Sequence, residues 1–238
     1  MEGFVSCSVC SSLGDHSTEE CPRRAQRDFN TEGEAVMHDH RGEYNELDLL
    51  YTHPVSGSRL YLGNHTSSKN LQALDRLNVT RIVNCMARNT DAALQARFGS
   101  DWRNFPVETW EGEMVRQGGD PGGGNDGNFC AVAYFAQLFS WIDEALEAPA
   151  RAVLVHCFAG AHRGAAVCVA YLMHARKIRL EEALEAAQAA RPIVDPKELL
   201  MELLTRLDRG IPPPRRRPDE TFAPCSCSLL TAPGVRMY

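Results

Sequence analysis

Residues 156–165, with the sequence HCFAGAHRGA, constrain the fold of this chain more than any other stretch. The apolar run AVLV precedes them at residues 152–155, and a second apolar run follows at residues 165–173. This pattern is typical of a buried strand, a tight turn and a buried helix. Backbone N–H groups at such a helix N-terminus point into one hollow, where the helix dipole adds partial positive charge. The stretch therefore predicts an anion-binding loop.

Two chemically active side chains, Cys157 and Arg163, bracket this loop with five residues between them. A cysteine is nucleophilic as its thiolate, and a hollow of N–H donors beside a guanidinium favours that form. The guanidinium can also hold two phosphoryl oxygens at once. Gly160, midway along the loop, permits a turn that a Cβ atom would obstruct. The pattern predicts a cysteine nucleophile for phosphate esters; an ordinary buried cysteine at a strand end is the alternative.

The pattern HC-x5-R after a buried strand resembles the signature of the cysteine-dependent protein tyrosine phosphatases, and its HCxAG opening resembles the dual-specificity branch. The resemblance covers residues 58–209 and includes LYLG at 60–63, IVN at 82–84 and RPIV at 191–194. It implies an α/β fold with a central, mostly parallel sheet flanked by helices. It also implies a protein phosphatase that hydrolyses phosphotyrosine, phosphoserine and phosphothreonine through a cysteinyl-phosphate intermediate, without a cofactor for catalysis.

The same resemblance implies roles for the side chains and main chain around the loop. His156 would hold the loop through a hydrogen bond, and Asn84 would brace it. Cys85, beside Asn84, is interpreted as a buried unreactive thiol, and a protective disulfide with Cys157 is the alternative. The loop residues expected to surround the substrate phosphate are Phe158, Ala159, Gly160, Ala161, His162 and Gly164.

Two loop positions depart from the family pattern. Gly164 follows the arginine where the family usually has Ser or Thr, whose hydroxyl stabilises the leaving thiolate. Turnover of a cysteinyl phosphate is therefore expected to be slow, and a pseudophosphatase that binds phosphorylated partners is the alternative function. His162 is either a second cation for the phosphate or an exposed loop residue.

A general acid is expected to protonate the leaving group from the far side of the phosphorus. Three carboxylates near the long glycine-rich segment 108–128 compete for this role. Asp126 lies 31 residues before Cys157, close to the usual family separation, and is preferred. Glu108 is the general acid if the glycine-rich stretch is an insertion after the acid. Asp120 is the third candidate.

Apolar periodicity predicts the elements around the site. Strands are expected at 60–62, 79–86, 103–107 and 151–156, and helices at 92–98, 131–146, 163–174 and 180–190. Ser67 and Ser68 are expected to cap a helix carrying Leu71, Leu74 and Leu77. Asp195 is expected to cap the last helix. Segment 108–128, with seven glycines, is predicted to be a long mobile loop.

The N-terminal segment carries metal-ligand residue types at metal-ligand spacing: Cys7, Cys10, His16 and Cys21. Three thiolates and an imidazole can surround Zn²⁺ tetrahedrally, so structural zinc is expected here. The segment resembles a CCHC zinc knuckle, although its loop between Cys10 and His16 is one residue longer. An RNA-associated phosphatase is therefore a second alternative function, but nucleic-acid binding itself is expected to be absent.

These features divide the chain into four parts: 1–30 a zinc-binding segment, 31–57 a linker, 58–210 the phosphatase-like domain and 211–238 a Pro/Arg-rich disordered tail. The tail sequence PPPRRRP at 212–218 is typical of an SH3-type ligand or a nuclear address. A net charge of -6 argues against general attraction to nucleic acids or anionic membranes. No membrane span or secretory signal is evident. Nine cysteines, one of them needed as a thiolate, favour an intracellular location, cytoplasmic or nuclear.

Overall fold

The computed structural model describes residues 47–87, 91–121 and 124–211. Its centre is a five-stranded sheet in the order β1-β2-β5-β3-β4. β1 is antiparallel to β2, and the other neighbouring strands are parallel. The sheet confirms the predicted mostly parallel arrangement. Its strands are β1 Leu47–Thr52, β2 Arg59–Gly63, β3 Val79–Asn84, β4 Trp102–Asn104 and β5 Ala152–His156.

Helices cover both faces of this sheet. Eight α-helices lie within the described ranges: α1 His65–Ser68, α2 Leu71–Arg76, α3 Ala92–Phe98, α4 Trp110–Arg116, α5 Ala131–Glu147, α6 Arg163–Arg176, α7 Leu180–Ala190 and α8 Glu198–Gly210. None of them is long and apolar enough to cross a membrane.

The central strand β5 is buried along its whole length, as its continuous apolar sequence predicts. Val153 and Val155 pack into the larger core with α5, α6 and α8, whereas Leu154 joins a smaller cluster on the other face. Because β5 pairs with β2 and β3, His156 lies opposite both Gly63 and Asn84. The loop that follows β5 therefore begins at the carboxyl edge of the sheet, between two parallel neighbours.

Helix α6 is buried from Arg163 to Met173, in agreement with its uniformly apolar sequence. The long helix α5 presents the predicted face to this core: Phe135, Leu138, Phe139, Ile142 and Leu146. Both elements were predicted to within about two residues because their apolar periodicity is long and sustained.

Two segments differ from the sequence analysis. Residues 47–52, within the predicted linker 31–57, form β1 and pair with β2. The predicted loop 108–128 contains a 3₁₀ turn at Val107–Thr109 and helix α4. Trp110 and Met114 are fully buried in that helix. Their spacing of four residues is typical of a helix, but the high glycine content of the segment led to the prediction of a loop.

The predicted helix caps also differ. Ser67 and Ser68 are buried inside α1, and asparagines cap both short helices. Asn64 Oδ1 accepts from the N–H of Ser67 at 2.7 Å, and Asn70 Oδ1 accepts from the N–H of Ala73 at 3.1 Å. Asparagine serves as an N-cap as well as serine does.

Asp195 does not cap the last helix. Helix α8 begins at Glu198, with Lys197 at its N-cap position. The Asp195 carboxylate instead pairs with Lys197 Nζ at 2.8 Å. Its backbone N–H donates to the carbonyl oxygen of Ala161 at 2.8 Å, so the residue is drawn towards the loop after β5 rather than to the helix.

Candidate functional site

The loop between β5 and α6 brings the predicted nucleophile and cation together. Cys157 is the first residue after β5, and Arg163 is the first residue of α6. Their exposed fractions are 2% and 1%, so both side chains lie within the protein at the helix N-terminus. A charged guanidinium buried at this place is a strong attractor for an anion.

A main-chain N–H group points at the cysteine sulfur. The N–H of Gly160 donates to Cys157 Sγ at 3.3 Å. Gly160 has a φ of 70°, and a Cβ atom there would lie 2.6 Å from the carbonyl oxygen of Gly63. The loop thus needs glycine at this position, as predicted, both for its conformation and for its approach to the end of β2.

The position of His162 contradicts one of the two roles predicted for it. Its exposed fraction is 2%, so it is not an exposed loop residue. Its Nδ1 lies 2.5 Å from the carbonyl oxygen of Asp195. Because a carbonyl oxygen only accepts hydrogen bonds, Nδ1 carries the proton in this contact. The ring therefore ties the loop to the segment before α8.

The three candidate acids lie in different surroundings. Glu108 is 6% exposed, and its Oε1 accepts from Arg163 Nη1 at 3.3 Å and from the N–H of Ala87 at 3.1 Å. Its second oxygen, Oε2, has no hydrogen-bond partner among the described residues. Glu108 thus contacts the side chain of Arg163 at the end of the loop.

Asp126 and Asp120 make other contacts. The Asp126 carboxylate pairs with Arg206 in α8, whose guanidinium lies over the ring of Trp110. The N–H of Asp120 donates to the carbonyl oxygen of Asn125 at 2.6 Å within the glycine-rich turn. The preferred acid of the sequence analysis is thus tied to α8 rather than to Arg163.

Asn84 and Cys85 lie beside the loop at the end of β3. Asn84 Oδ1 accepts from the N–H of Met86 at 3.1 Å, and the N–H of Cys85 donates to the carbonyl oxygen of His156 at 2.8 Å. Burial, and then the neighbouring Cys157, raise the pKa of the Cys85 thiol well above its usual range. A protonated thiol is a poor nucleophile, which favours the interpretation of Cys85 as an unreactive residue.

The histidine before the nucleophile is held neutral. Burial, and then the nearby His65, lower the pKa of His156 to about 3. The two rings are stacked, with centroids 6.4 Å apart and an interplanar angle of 22°. His156 therefore contributes no positive charge to the site at neutral pH, and its contact with α1 helps fix the start of the loop.

Gly164 has little room for a side chain. A Cβ atom there would lie 3.1 Å from Leu62 Cδ1 and 3.3 Å from both the nitrogen of Cys157 and the carbonyl carbon of His156. These distances are shorter than ordinary van der Waals contacts. The glycine lets the start of α6 approach the end of β5 closely, and no hydroxyl is present at this position.

Sequence reasoning missed two residues that hold the loop from outside. Asp48 lies in β1, within the segment predicted to be a linker, and Arg191 was named within the RPIV motif without a role. Arg191 is fully buried and hydrogen-bonds both to Asp48 and to loop carbonyl groups. Its position directly before Pro192 in the RPIV motif was the available signal, but it does not reveal burial.

The predicted metal ligands, Cys7, Cys10, His16 and Cys21, lie outside the described residues, as does the Pro/Arg-rich tail. Within the part of the chain that the structure describes, no group of three or more His, Cys, Asp or Glu residues could hold a metal ion.

Sequence comparisons identify the family of this chain. Residues 60–209 match the family model described as "Dual specificity phosphatase, catalytic domain". The chain is 31% identical over 183 residues to Dual specificity protein phosphatase 26 of Homo sapiens, covering 74% of this chain and 80% of that protein. It is 30% identical over 152 residues to Dual specificity protein phosphatase 2 of Mus musculus, covering 64% of this chain and 42% of that protein.

The chain thus spans less than half the length of the mouse relative. Among solved structures, the crystal structure of human DUSP28 is similar, with a TM-score of 0.48 and 23% sequence identity. That match covers 69% of this chain and 93% of the DUSP28 chain.

Proposed function

Because the chain belongs to the dual specificity phosphatase family, we propose that it is a protein phosphatase that hydrolyses phosphomonoesters on tyrosine, serine and threonine side chains. The observation that carries the proposal is the hydrogen bond from the N–H of Gly160 to Cys157 Sγ, in a loop that ends at Arg163. This arrangement places a sulfur nucleophile beside a guanidinium, which are the two groups that phosphoryl transfer to sulfur requires.

In the first step, the Cys157 thiolate attacks the phosphorus, the bond from phosphorus to the leaving oxygen breaks, and a cysteinyl phosphate forms. Arg163 and the loop N–H groups hold the phosphoryl oxygens, where negative charge is greatest during the transfer. In the second step, water attacks the phosphorus, inorganic phosphate leaves, and the thiolate is regenerated. The loop residues 157–164 act in both steps as the phosphate-binding loop.

Glu108 serves in this mechanism as a positioning residue for Arg163. Its Oε1 is shared between Arg163 Nη1 and the N–H of Ala87, so the carboxylate links the guanidinium to the end of β3. A guanidinium held on one edge keeps its remaining N–H groups directed at the substrate. Because the Arg163 side chain is already held in place, less conformational entropy is lost when the substrate binds.

The Asp126 carboxylate is paired with Arg206 of α8, which supports a reaction in which the leaving group receives weak assistance from an acid. A phenolate leaves readily because its conjugate acid has a pKa of about 10. An alkoxide from serine or threonine is far more basic and depends more strongly on a proton donor. The chain is therefore proposed to prefer aryl phosphates.

We expect phosphate release from a phosphotyrosine peptide to exceed release from the matched phosphothreonine peptide by about 10²-fold or more, the usual contribution of general acid catalysis. The measurement is kcat/KM for both peptides with the full chain. Equal values would mean that a proton donor reaches the leaving group, and the weak-acid part of the proposal would then be wrong.

We expect a Glu108→Gln variant to lose about 10- to 100-fold in kcat/KM, because a neutral amide holds the Arg163 guanidinium less strongly. The loss should be similar for aryl phosphates with good and poor leaving groups, and tungstate affinity should fall with it. The matched control is Asp126→Asn, which removes a carboxylate charge 18 residues further along the chain. We expect it to change kcat/KM by less than about twofold, since a half-exposed ion pair contributes little.

A larger loss in Asp126→Asn than in Glu108→Gln would restore Asp126 as the general acid. A Glu108→Gln loss that grows as the leaving group becomes more basic would make Glu108 a proton donor rather than a positioning residue.

A second candidate function is a phosphate reader without turnover, which the missing hydroxyl at Gly164 favours. The leaving thiolate of the second step then lacks one stabilising donor, and the cysteinyl phosphate would persist. A wild-type chain that binds tungstate but releases no phosphate from either peptide would identify this function.

We further propose structural zinc on Cys7, Cys10, His16 and Cys21, since three thiolates and one imidazole are a complete tetrahedral set. The SH3-type partner of the tail, the RNA-associated role, the absence of nucleic-acid binding and the intracellular location remain predictions. They rest on segments outside the described residues or on composition alone.

A further inference from the structure

The guanidinium of Arg191 lies directly behind the phosphate-binding loop. Its Nη2 donates to the carbonyl oxygen of Ala159 and its Nε to that of Gly160, both at 2.9 Å. The side chain is fully buried. One guanidinium therefore holds two consecutive carbonyl groups of the loop on the side away from the substrate.

The geometry of the peptide bond means that each held carbonyl group also fixes the direction of the N–H group of the next residue. In a planar trans peptide, the carbonyl of one residue and the N–H of the next point in opposite directions. Holding the carbonyl of Ala159 outward turns the N–H of Gly160 inward, where it donates to Cys157 Sγ. Holding the carbonyl of Gly160 outward likewise turns the N–H of Ala161 inward. Arg191 thus sets the direction of two donors in the anion site.

The flanking carbonyl groups are held outward by main-chain donors. The N–H of His65 donates to the carbonyl oxygen of Phe158 at 2.9 Å, and the N–H of Asp195 donates to that of Ala161 at 2.8 Å. Four consecutive carbonyl groups, at residues 158–161, therefore face away from the site. The two central ones depend on a side chain, and this makes Arg191 the place where a substitution can release the loop.

Asp48 offsets the cost of burying this guanidinium. Its Oδ2 accepts from Arg191 Nη1 at 2.7 Å, and its side chain is 7% exposed. Asp48 lies in β1, opposite Leu62 of β2, and precedes the region that matches the family model. An unpaired buried charge is strongly unfavourable, so Arg191 needs this partner to stay in place.

We propose that Arg191, held by Asp48, is the positioning residue that turns the N–H groups of Gly160 and Ala161 into the anion site. The proposal rests on the proposed function for its effect on hydrolysis, but its effect on anion binding stands alone. Strand β1 is then part of the machinery of the site, because its Asp48 acts on the loop through Arg191.

The test compares Arg191→Met, Arg191→Lys and Asp48→Asn in the full chain. We expect Arg191→Met to raise the Kd for tungstate about tenfold or more and to lower kcat/KM for an aryl phosphate by about 10²-fold, as the loss of an oriented oxyanion donor does. Arg191→Lys keeps a cation and should fall between Arg191→Met and wild type. Asp48→Asn should shift both values in the same direction by about three- to tenfold.

Arg81→Met is the matched control. Arg81 is also a nearly buried arginine, and it pairs with Asp101 at 2.9 Å and Glu144 at 3.2 Å without contacting the loop. We expect this variant to lower the unfolding midpoint while leaving the tungstate Kd within about twofold of wild type, because no loop donor is turned. If Arg191 had only a structural role, Arg191→Met would likewise lower the unfolding midpoint and leave the tungstate Kd within about twofold of wild type.

Folded Arg191→Met with the tungstate Kd of wild type would overturn the proposal. If Arg191→Met does not fold, wild-type tungstate affinity in both Arg191→Lys and Asp48→Asn would overturn it equally. If the variants keep the tungstate affinity of wild type and still hydrolyse the aryl phosphate, the proposal for Arg191 is wrong but the proposed function is not contradicted. A wild type that binds tungstate but releases no phosphate contradicts the proposed hydrolysis, and the order of the tungstate affinities then decides the role of Arg191.

Discussion

A Cys157→Ser variant is expected to lose about 10⁴-fold or more in kcat/KM for an aryl phosphate, because a serine hydroxyl is a far weaker nucleophile than a thiolate at neutral pH. The hydroxyl differs from the thiol by one atom and can still accept the hydrogen bond from the N–H of Gly160, and the loop carbonyl groups at residues 158–161 are held by donors other than Cys157. The variant should therefore still bind tungstate. Phosphate release and tungstate binding, measured on the same preparation, separate loss of chemistry from loss of the site.

Cys130→Ser is the control for this substitution. Cys130 is a partly exposed cysteine that immediately precedes α5. The same change there should leave kcat/KM within about twofold, as most surface substitutions away from a site do. Acid quenching of the wild type during turnover should also trap phosphate on the peptide that contains Cys157. Residual activity above about 1% in Cys157→Ser would contradict the cysteinyl-phosphate intermediate.

The loop and its flanking elements were predictable because the sequence patterns that determine them are contiguous in the chain. The apolar run of β5, the glycine in the turn and the apolar helix α6 are contiguous in sequence, and each fits the same strand-turn-helix arrangement. The structure brings Cys157 and Arg163 together at this junction. Strand length and helix periodicity alone sufficed for this part of the chain.

The surroundings of the loop were not predictable in the same way. The preference for Asp126 depended on a count of residues back from Cys157, and that count does not reveal that the Asp126 carboxylate pairs with Arg206 of α8. Glu108 contacts Arg163 across 55 residues of sequence. Such a contact follows from where β3, the 3₁₀ turn and α6 meet, and sequence spacing does not carry that information.

Strand β1 illustrates the same difficulty. A strand at the edge of a sheet is usually recognised by alternating apolar residues, and an aspartate within it argues against that assignment. Asp48 is acceptable there because Arg191, 143 residues away, pairs with it inside the protein. The residue that weakens the sequence pattern is thus the one with a specific buried partner.

Gly160→Ala is expected to disrupt both the stability and the anion site. Gly160 has a φ of 70°, and its new Cβ atom would lie 2.6 Å from the Gly63 carbonyl oxygen and 2.7 Å from Arg191 Nη2. Neither neighbour can retreat easily, since one is main chain and the other is a buried, fully engaged guanidinium. We expect a loss of about 3 kcal/mol or more in the free energy of unfolding, from backbone strain and overpacking together.

Gly118→Ala separates these two causes. Gly118 has a φ of 81°, but nothing lies within 4 Å of the position a Cβ would occupy. Its substitution should cost about 1 kcal/mol from backbone conformation alone and leave the tungstate Kd unchanged. Urea unfolding and tungstate binding of both variants make the comparison. Equal unfolding losses in the two, with wild-type tungstate affinity in Gly160→Ala, would mean that the close approach of Gly160 to Gly63 and Arg191 does not shape the site.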